Sequence, residues 1–264
     1  MARFYLVVAS FMMLTSTLIA VEWVIAALRL PGRQRIGLFY FRLLRRLLRV
    51  DLRVQGAPRR NGPVLIVANH VSWVDIPVIA SVMPLVFVAK QEVRRWPLVG
   101  YAAELLHTIF VDRTRRQQTG EVNAAIARKM SDGDPVVLFA EGTSSDGNRV
   151  LQFRSALVGA ASDVLAAGDN AMVWLQPVSI SYPQIDGLPA GRQHRPLVAW
   201  YGDTDFVPHL KDFVRLGAVD AVVTFGEPVA FDGRDRKSVV KSLETAVRRM
   251  MTTTLRGENP AQAA

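Results

Sequence analysis

The chain has 264 residues, 50% hydrophobic and 21% charged, enough for one large domain with an appendage and incompatible with global disorder. It has no cysteine, which excludes disulfides, thiolate catalysis and cysteine-ligated zinc; the absence fits a reducing compartment without fixing one. Net charge is +9, and all of it sits in one segment: ten arginines and one acid, Asp51, lie between Arg29 and Arg60, whereas 21 basic residues meet 21 acidic ones from Asn61 onward.

The first element is apolar. No charge interrupts Phe4 to Val21, and Glu22 is the only one before Arg29. A helix of ~20 apolar residues spans a hydrocarbon core. A cleaved signal peptide is the alternative, but its apolar region is usually ~7–15 residues followed by a small-residue site. This run is longer and has no convincing site, so a retained anchor, spanning or deeply interfacial, is expected. In Gln34 to Val50, Ile36, Phe39, Tyr40, Leu43, Leu44, Leu47 and Leu48 recur at three- and four-residue intervals, with Arg42, Arg45, Arg46 and Arg49 on the other side. This is an amphipathic helix. It either lies in the headgroup layer of an anionic membrane, apolar face down, or covers a protein core with its arginines in solvent; the neighbouring anchor favours the membrane. No nucleic-acid motif accompanies the arginines, and nucleic acid is not expected as a partner. Arginines just after the first apolar segment place the rest of the chain on the cytoplasmic side of the inner membrane.

After Asn61-Gly62-Pro63, short apolar runs alternate with helical stretches. The runs VLIVAN, LVFVAK, HTIFVD, PVVLFAEG, MVWLQPVSIS, PLVAWYGD and DAVVTFGEPV read as strands. Glu92–Leu106, Arg115–Met130, Ser155–Ala167 and Ser238–Leu255 read as helices, with Phe206–Leu216 a weaker one. The alternation predicts an α/β fold, a largely parallel central sheet flanked by helices, preceded by the anchor and the basic amphipathic helix. The predicted organisation is an N-terminal membrane unit over 1–60, a globular domain over 61–256 and a loose tail over 257–264. Ligand sites of such sheets gather beyond the carboxyl ends of the strands.

Three of the strands end in reactive side chains. VLIVA runs into Asn69-His70, and Asp75 follows five positions later. A neutral histidine can take a proton from a hydroxyl, and a carboxylate on its second ring nitrogen fixes the tautomer and stabilises the imidazolium. The alternative is a histidine at a helix start, with Asp75 favoured in the first turn. PVVLFA runs into Glu141-Gly142-Thr143, which aims a carboxyl and backbone amides at the same edge, although the adjoining SDGN is also a plain turn signal. HTIFV runs into Asp112-Arg113. Ser72 lies between His70 and Asp75 but has no nucleophile-elbow glycines around it, so a Ser-His-Asp triad is not expected. His107, His194 and His209 show no ligand spacing; no metal site is expected, and these histidines read as structural.

The set resembles the motifs of the glycerolipid acyltransferases, the 1-acylglycerol-3-phosphate acyltransferase group. Asn69-His70 with Asp75 resembles their NHxxxxD motif, FAEGTSS their FPEGTRS motif, IFVDR their second block and WLQPVSI their fourth. The resemblance covers about Leu52 to Val229 and implies a membrane-bound enzyme. Such enzymes move a fatty acyl chain from acyl-CoA or acyl carrier protein to a lysolipid hydroxyl, with no further cofactor. It implies His70 and Asp75 as the catalytic pair, Glu141, Gly142 and Thr143 positioning the acceptor, and Arg113 supplying charge. Ala140 replaces the family's usual proline. Ser144 replaces its arginine, a residue associated with the acceptor phosphate; Arg149 and Arg154 are near enough in sequence to stand in for it. EGTSSDGNRVL, FRSAL, QPVSI with the nearby Tyr182, and WYGD resemble the bacterial lyso-ornithine lipid acyltransferases more closely, whose acceptor is a phosphate-free aminolipid. The expected acceptor is therefore lyso-ornithine lipid, with 1-acylglycerol-3-phosphate as the alternative. A noncatalytic lipid-binding protein and a hydrolase that activates water are the competing classes.

Overall fold

The computed structural model describes residues 1–28, 33–111, 119–154, 159–166, 172–233 and 235–258. The elements come in the order α1 (Ala2–Leu28), α2 (Arg33–Leu47), β1 (Val50–Gln55), β2 (Val64–Ala68), α3 (Asp75–Ala80), β3 (Val86–Lys90), α4 (Val99–Leu105), β4 (Ile109–Val111), α5 (Thr119–Ser131), β5 (Val136–Phe139), α6 (Gly159–Ala166), β6 (Val173–Ile185), β7 (Leu188–Pro189), α7 (Phe206–Arg215), β8 (Val219–Phe225), β9 (Val229–Phe231) and α8 (Arg236–Leu255). One sheet runs β1-β8-β6-β2-β5-β3-β4, with β7 and β9 also pairing β6. β2, β3, β4, β5 and the start of β6 are parallel neighbours, and β8 runs antiparallel to β6. The sheet is mixed, with a parallel centre.

The central strands are apolar on successive positions because both faces are covered: every residue of β2 is buried. On one face Ile66, Ala68, Val178 and Ile180 pack with Leu44 and Leu48, Val78 and Ile79, and Phe213 of α7. On the other, Leu65, Val67, Val136 and Leu175 pack with Met130 of α5, Val164 of α6, and Leu243 and Val247 of α8. Full burial of each such side chain stabilises by roughly 1.5–3 kcal/mol, which holds the strand ends rigidly in place.

Several expectations are corrected. Part of the apolar side of α2 is covered by protein: Tyr40, Leu44 and the following Leu48 are buried in the core, whereas Phe39, Arg42 and Arg46 are exposed. Arg42 Nε donates to the Ser81 carbonyl and Arg45 to that of Val50, so the arginine side is partly tied to the fold. Residues 50–55 are a strand paired with β8, and the sheet therefore starts before residue 61. PLVAWYGD forms a short 3-10 turn at Arg195–Leu197 and irregular chain; Val198 and Ala199 are buried without ladder pairing. Glu92–Leu106 splits into a 3-10 turn at Gln91–Arg95 and α4, because Pro97 holds Trp96 extended.

α1 is the helix among the described residues that is long and apolar enough to cross a membrane. Thr15, Leu18, Glu22 and Ile25, a three-four-three spacing, are buried against the domain, where the Thr15 and Tyr40 hydroxyls lie 3.0 Å apart. Its other side exposes Tyr5, Leu6, Met12, Met13, Trp23 and Val24.

Candidate active site

The site is built on the carboxyl ends of β2, β5 and β6. β2 pairs with β6 up to Ala68 and Val178, after which the backbones part. Asn69 takes over the pairing with its side chain: Nδ2 donates to the Ile180 carbonyl at 2.9 Å, and Oδ1 accepts the Ile180 N–H at 2.8 Å. The amide substitutes for a strand backbone, so the main chain of His70 is free to turn. The His70 carbonyl accepts the Ser145 N–H at 2.8 Å, and the His70 N–H donates to Glu141 Oε1 at 3.2 Å. Its ring stacks on Phe139, the last residue of β5, with centroids 4.1 Å apart.

His70 Nδ1 lies 2.8 Å from Asp75 Oδ2. Asp75 opens α3 and is fully buried, whereas the His70 side chain keeps 20% of its surface exposed. The same Oδ2 accepts the N–H groups of Val71 at 2.7 Å and Ser72 at 3.0 Å. A carboxylate held by that many donors accepts only, so the ring proton sits on Nδ1 and Nε2 keeps its lone pair for an incoming hydroxyl. Tyr182 of β6 donates its hydroxyl to Asp75 Oδ1 at 2.6 Å. Sequence reasoning missed that contact: Tyr182 was visible only as part of a string, and its partner lies far away in the chain.

Glu141 is 2% exposed. Burial pushes its carboxyl up to about 8; the N–H groups of His70 and Leu151 oppose this and the Asp75 charge adds to it. Its Oε2 has no hydrogen-bond partner of normal geometry among the described residues. Glu141 thus sits behind His70, fastening its peptide. Gly142 has φ +70°, and a Cβ there would lie 2.8 Å from Arg154 Nε, so the glycine lets the guanidinium lie over the turn. Arg154 and Thr143 are exposed at this edge. Arg113 lies outside the described residues. Ser144 donates its hydroxyl to the Trp200 carbonyl, and Trp200 N–H donates to the Val71 carbonyl at 3.0 Å. The segment expected as a strand is therefore a brace over His70-Val71. His209 belongs to the same brace: Trp73 Nε1 donates to its Nδ1 at 3.1 Å, and its Nε2 donates to the Ala199 carbonyl at 2.9 Å. Burial lowers its pKa, consistent with a neutral ring in both bonds. A separate cavity of about 250 Å³ lies at the amino ends of β3 and β5, between Phe41, Val86, Leu106 and Pro135, and does not include the His70 pair.

Residues 49–181 match the family model described as Acyltransferase. The chain belongs to the acyltransferase family. The matched span holds all of β2, α3 and β5 and most of β6 as far as Ser181, so the His70–Asp75 pair lies inside it. The acyltransferase is 42% identical to the lyso-ornithine lipid O-acyltransferase of Brucella abortus over 99% of this chain and 98% of that one. It is 41% identical to the protein of the same name from Rhizobium meliloti, over 95% and 86% of the two chains. Among solved structures, the 1-acyl-sn-glycerophosphate acyltransferase of Thermotoga maritima superposes with a TM-score of 0.66 at 21% identity, covering 96% and 93%. That likeness shows that the two share a fold.

Proposed function

We propose that this acyltransferase moves a fatty acyl chain from an acyl thioester to the hydroxyl of lyso-ornithine lipid, with His70 as the base. The observation that carries the mechanism is the buried Asp75 carboxylate 2.8 Å from Nδ1 of a partly exposed histidine. His70 Nε2 takes the acceptor's hydroxyl proton as that oxygen bonds to the thioester carbonyl carbon. The imidazolium is stabilised by Asp75. The tetrahedral oxyanion collapses, the C–S bond breaks, and the proton passes from Nε2 to the departing sulfur, giving the ester and a free thiol. Ser72 plays no nucleophilic part: it is fully buried and its hydroxyl has no partner among the described residues.

The acceptor assignment rests on the full-length likeness to the two lyso-ornithine lipid enzymes. Thr143 and Arg154, exposed beside Gly142, are the groups that meet the acceptor, with Arg113 adding charge; Glu141 and Gly142 shape that edge. The donor is acyl carrier protein or coenzyme A thioester. Membrane attachment at the inner membrane, with the catalytic domain facing the cytoplasm, uses the exposed apolar side of α1 and the exposed Arg42, Arg46 and Arg49 toward anionic lipid. One observation favours 1-acylglycerol-3-phosphate as a second acceptor: the Arg154 guanidinium over Gly142 is a cation suited to phosphate. The test of the mechanism is single-turnover acyl transfer by wild type and His70→Ala from a labelled thioester. Transfer at the wild-type rate by the variant would remove His70 from the reaction.

A further inference from the structure

We propose that Tyr182 is a positioning residue that sets the pH at which His70 loses its base form, by holding Asp75 Oδ1 and drawing part of the carboxylate charge away from the imidazole. The inference rests on the reading of His70 as the base.

Three observations carry it. The donors on Asp75 are unevenly shared: Oδ2 accepts from His70, Val71 and Ser72, and Tyr182 is the partner of Oδ1, at 2.6 Å. That is the length of a charge-assisted O–H···O⁻ bond. The strand is locally rebuilt to make the contact. Between Ser181 and Gln184 the β6–β8 register slips, so that Tyr182 and Pro183 stand against Ala221 alone. Pro183 has no N–H to give the ladder, and a bulge beside a site re-aims a side chain. Finally, both groups are sealed: Tyr182 is 3% exposed and Asp75 0%. An Oδ1 left empty at that burial would be a buried unsatisfied charge.

The hydroxyl remains a donor throughout the working range, because burial, then the Asp75 charge and the hydrogen bond to it, push its ionisation well above 10. The charged groups at this edge include Glu141, at the end of β5, with the Arg248 charge of α8 acting on it, and Arg154 over Gly142. Glu141, whose carboxyl burial pushes up to about 8, bonds the His70 peptide rather than Asp75, so the His70 ring titration, and not the activity profile alone, distinguishes the effect of the phenol. His209 of α7 bonds Trp73 and Ala199 and does not touch the pair.

Without the phenol, Asp75 concentrates its charge toward His70 and favours the imidazolium. The active neutral ring is then lost at a higher pH. A more acidic phenol of the same size has the opposite effect.

The experiment compares wild type, Tyr182→Phe and protein carrying 3-fluorotyrosine at 182. It reads the His70 ring titration by NMR and the pH profile of kcat/KM. The chain has four histidines, and His70→Ala assigns the signal and serves as the inactive control. Tyr182→Phe is expected to raise the His70 titration and the acid limb together by roughly half a unit or more. KM for the acceptor should be unchanged. Fluorotyrosine should move both readouts down. Unmoved titrations in both variants, with His70→Ala inactive, would overturn the role of Tyr182 alone. An active His70→Ala would overturn the underlying reading and this inference with it. If Tyr182→Phe does not fold, the fluorotyrosine protein decides: an unshifted His70 overturns the proposal.

Discussion

Replacing Glu141 by glutamine tests how the carboxyl behind His70 is held. The pKa of Glu141 stands at about 8 in the folded protein against an ordinary 4.5. Between these values the unfolded chain has released the proton and the folded chain has not. Unfolding therefore gains ground as pH rises: the penalty is absent below 4.5 and grows until the folded pKa is passed. Going from pH 5 to pH 8, integrating the two titrations gives a loss on the order of 3–4 kcal/mol in wild type, at about 1.4 kcal/mol per unit. Glutamine keeps a carbonyl oxygen for the His70 N–H and has no proton to release, so Glu141→Gln does not suffer this loss. Any penalty from its extra amide donors is the same at every pH. The assay is denaturant unfolding of both proteins in the same detergent at pH 5, 6, 7 and 8. Relative to wild type, the variant should gain on the order of 3–4 kcal/mol across the range, most of it above pH 5.5. A constant difference between the two would refute the claim that Glu141 is buried with its proton on.

His70→Ala should lower turnover by the ~10²–10⁴-fold typical of a lost general base while leaving the unfolding midpoint close to wild type. Asp75→Asn should be similarly severe, because an amide can donate to Nδ1 and hold the proton on the wrong nitrogen; steady-state kinetics measure both. Ser144→Arg removes the hydroxyl that braces the Trp200 carbonyl, at a cost of roughly 1 kcal/mol, and should slow acylation of both acceptors rather than switch between them; competition kinetics decide this. Changing Arg42, Arg46 and Arg49 to glutamine in the full chain should weaken flotation with anionic vesicles, each charge contributing about 1 kcal/mol before screening, and leave binding to neutral vesicles unchanged. Equal flotation with anionic vesicles would show that these arginines do not meet the membrane.

Much of the site was legible because it is local. Asn69, His70 and Asp75 are joined by one turn, and a buried apolar run that stops at a polar pair announces a strand end. Glu141-Gly142-Thr143 was legible for the same reason, but its direction was not. The glutamate points inward to the His70 peptide, and only the fold shows which side of a strand end is covered. Tyr182 could be placed on the face of Ile180 by strand alternation, yet its bond to Asp75 depends on the parallel pairing of β2 with β6, a contact without local signal. The α2 helix shows the limit of periodicity. An amphipathic pattern fixes that one face is covered and says nothing about whether lipid or protein covers it; Leu44 and Leu48 lie on the sheet. Val50 to Gln55 was hidden by the arginine-rich run that precedes it, and Val198 and Ala199 looked like strand because they are buried over the site rather than in the ladder.

The most direct test of the central claim is product identification in a competition. Purified wild-type protein receives one labelled acyl thioester with lyso-ornithine lipid and 1-acylglycerol-3-phosphate at equal concentration, and the labelled lipids are separated by mass. The predicted result is label predominantly in ornithine lipid, with its formation by His70→Ala slowed by the ~10²–10⁴-fold of a lost general base. Label predominantly in phosphatidic acid would contradict the acceptor, and release of the label as free fatty acid in the presence of both acceptors would contradict acyl transfer itself.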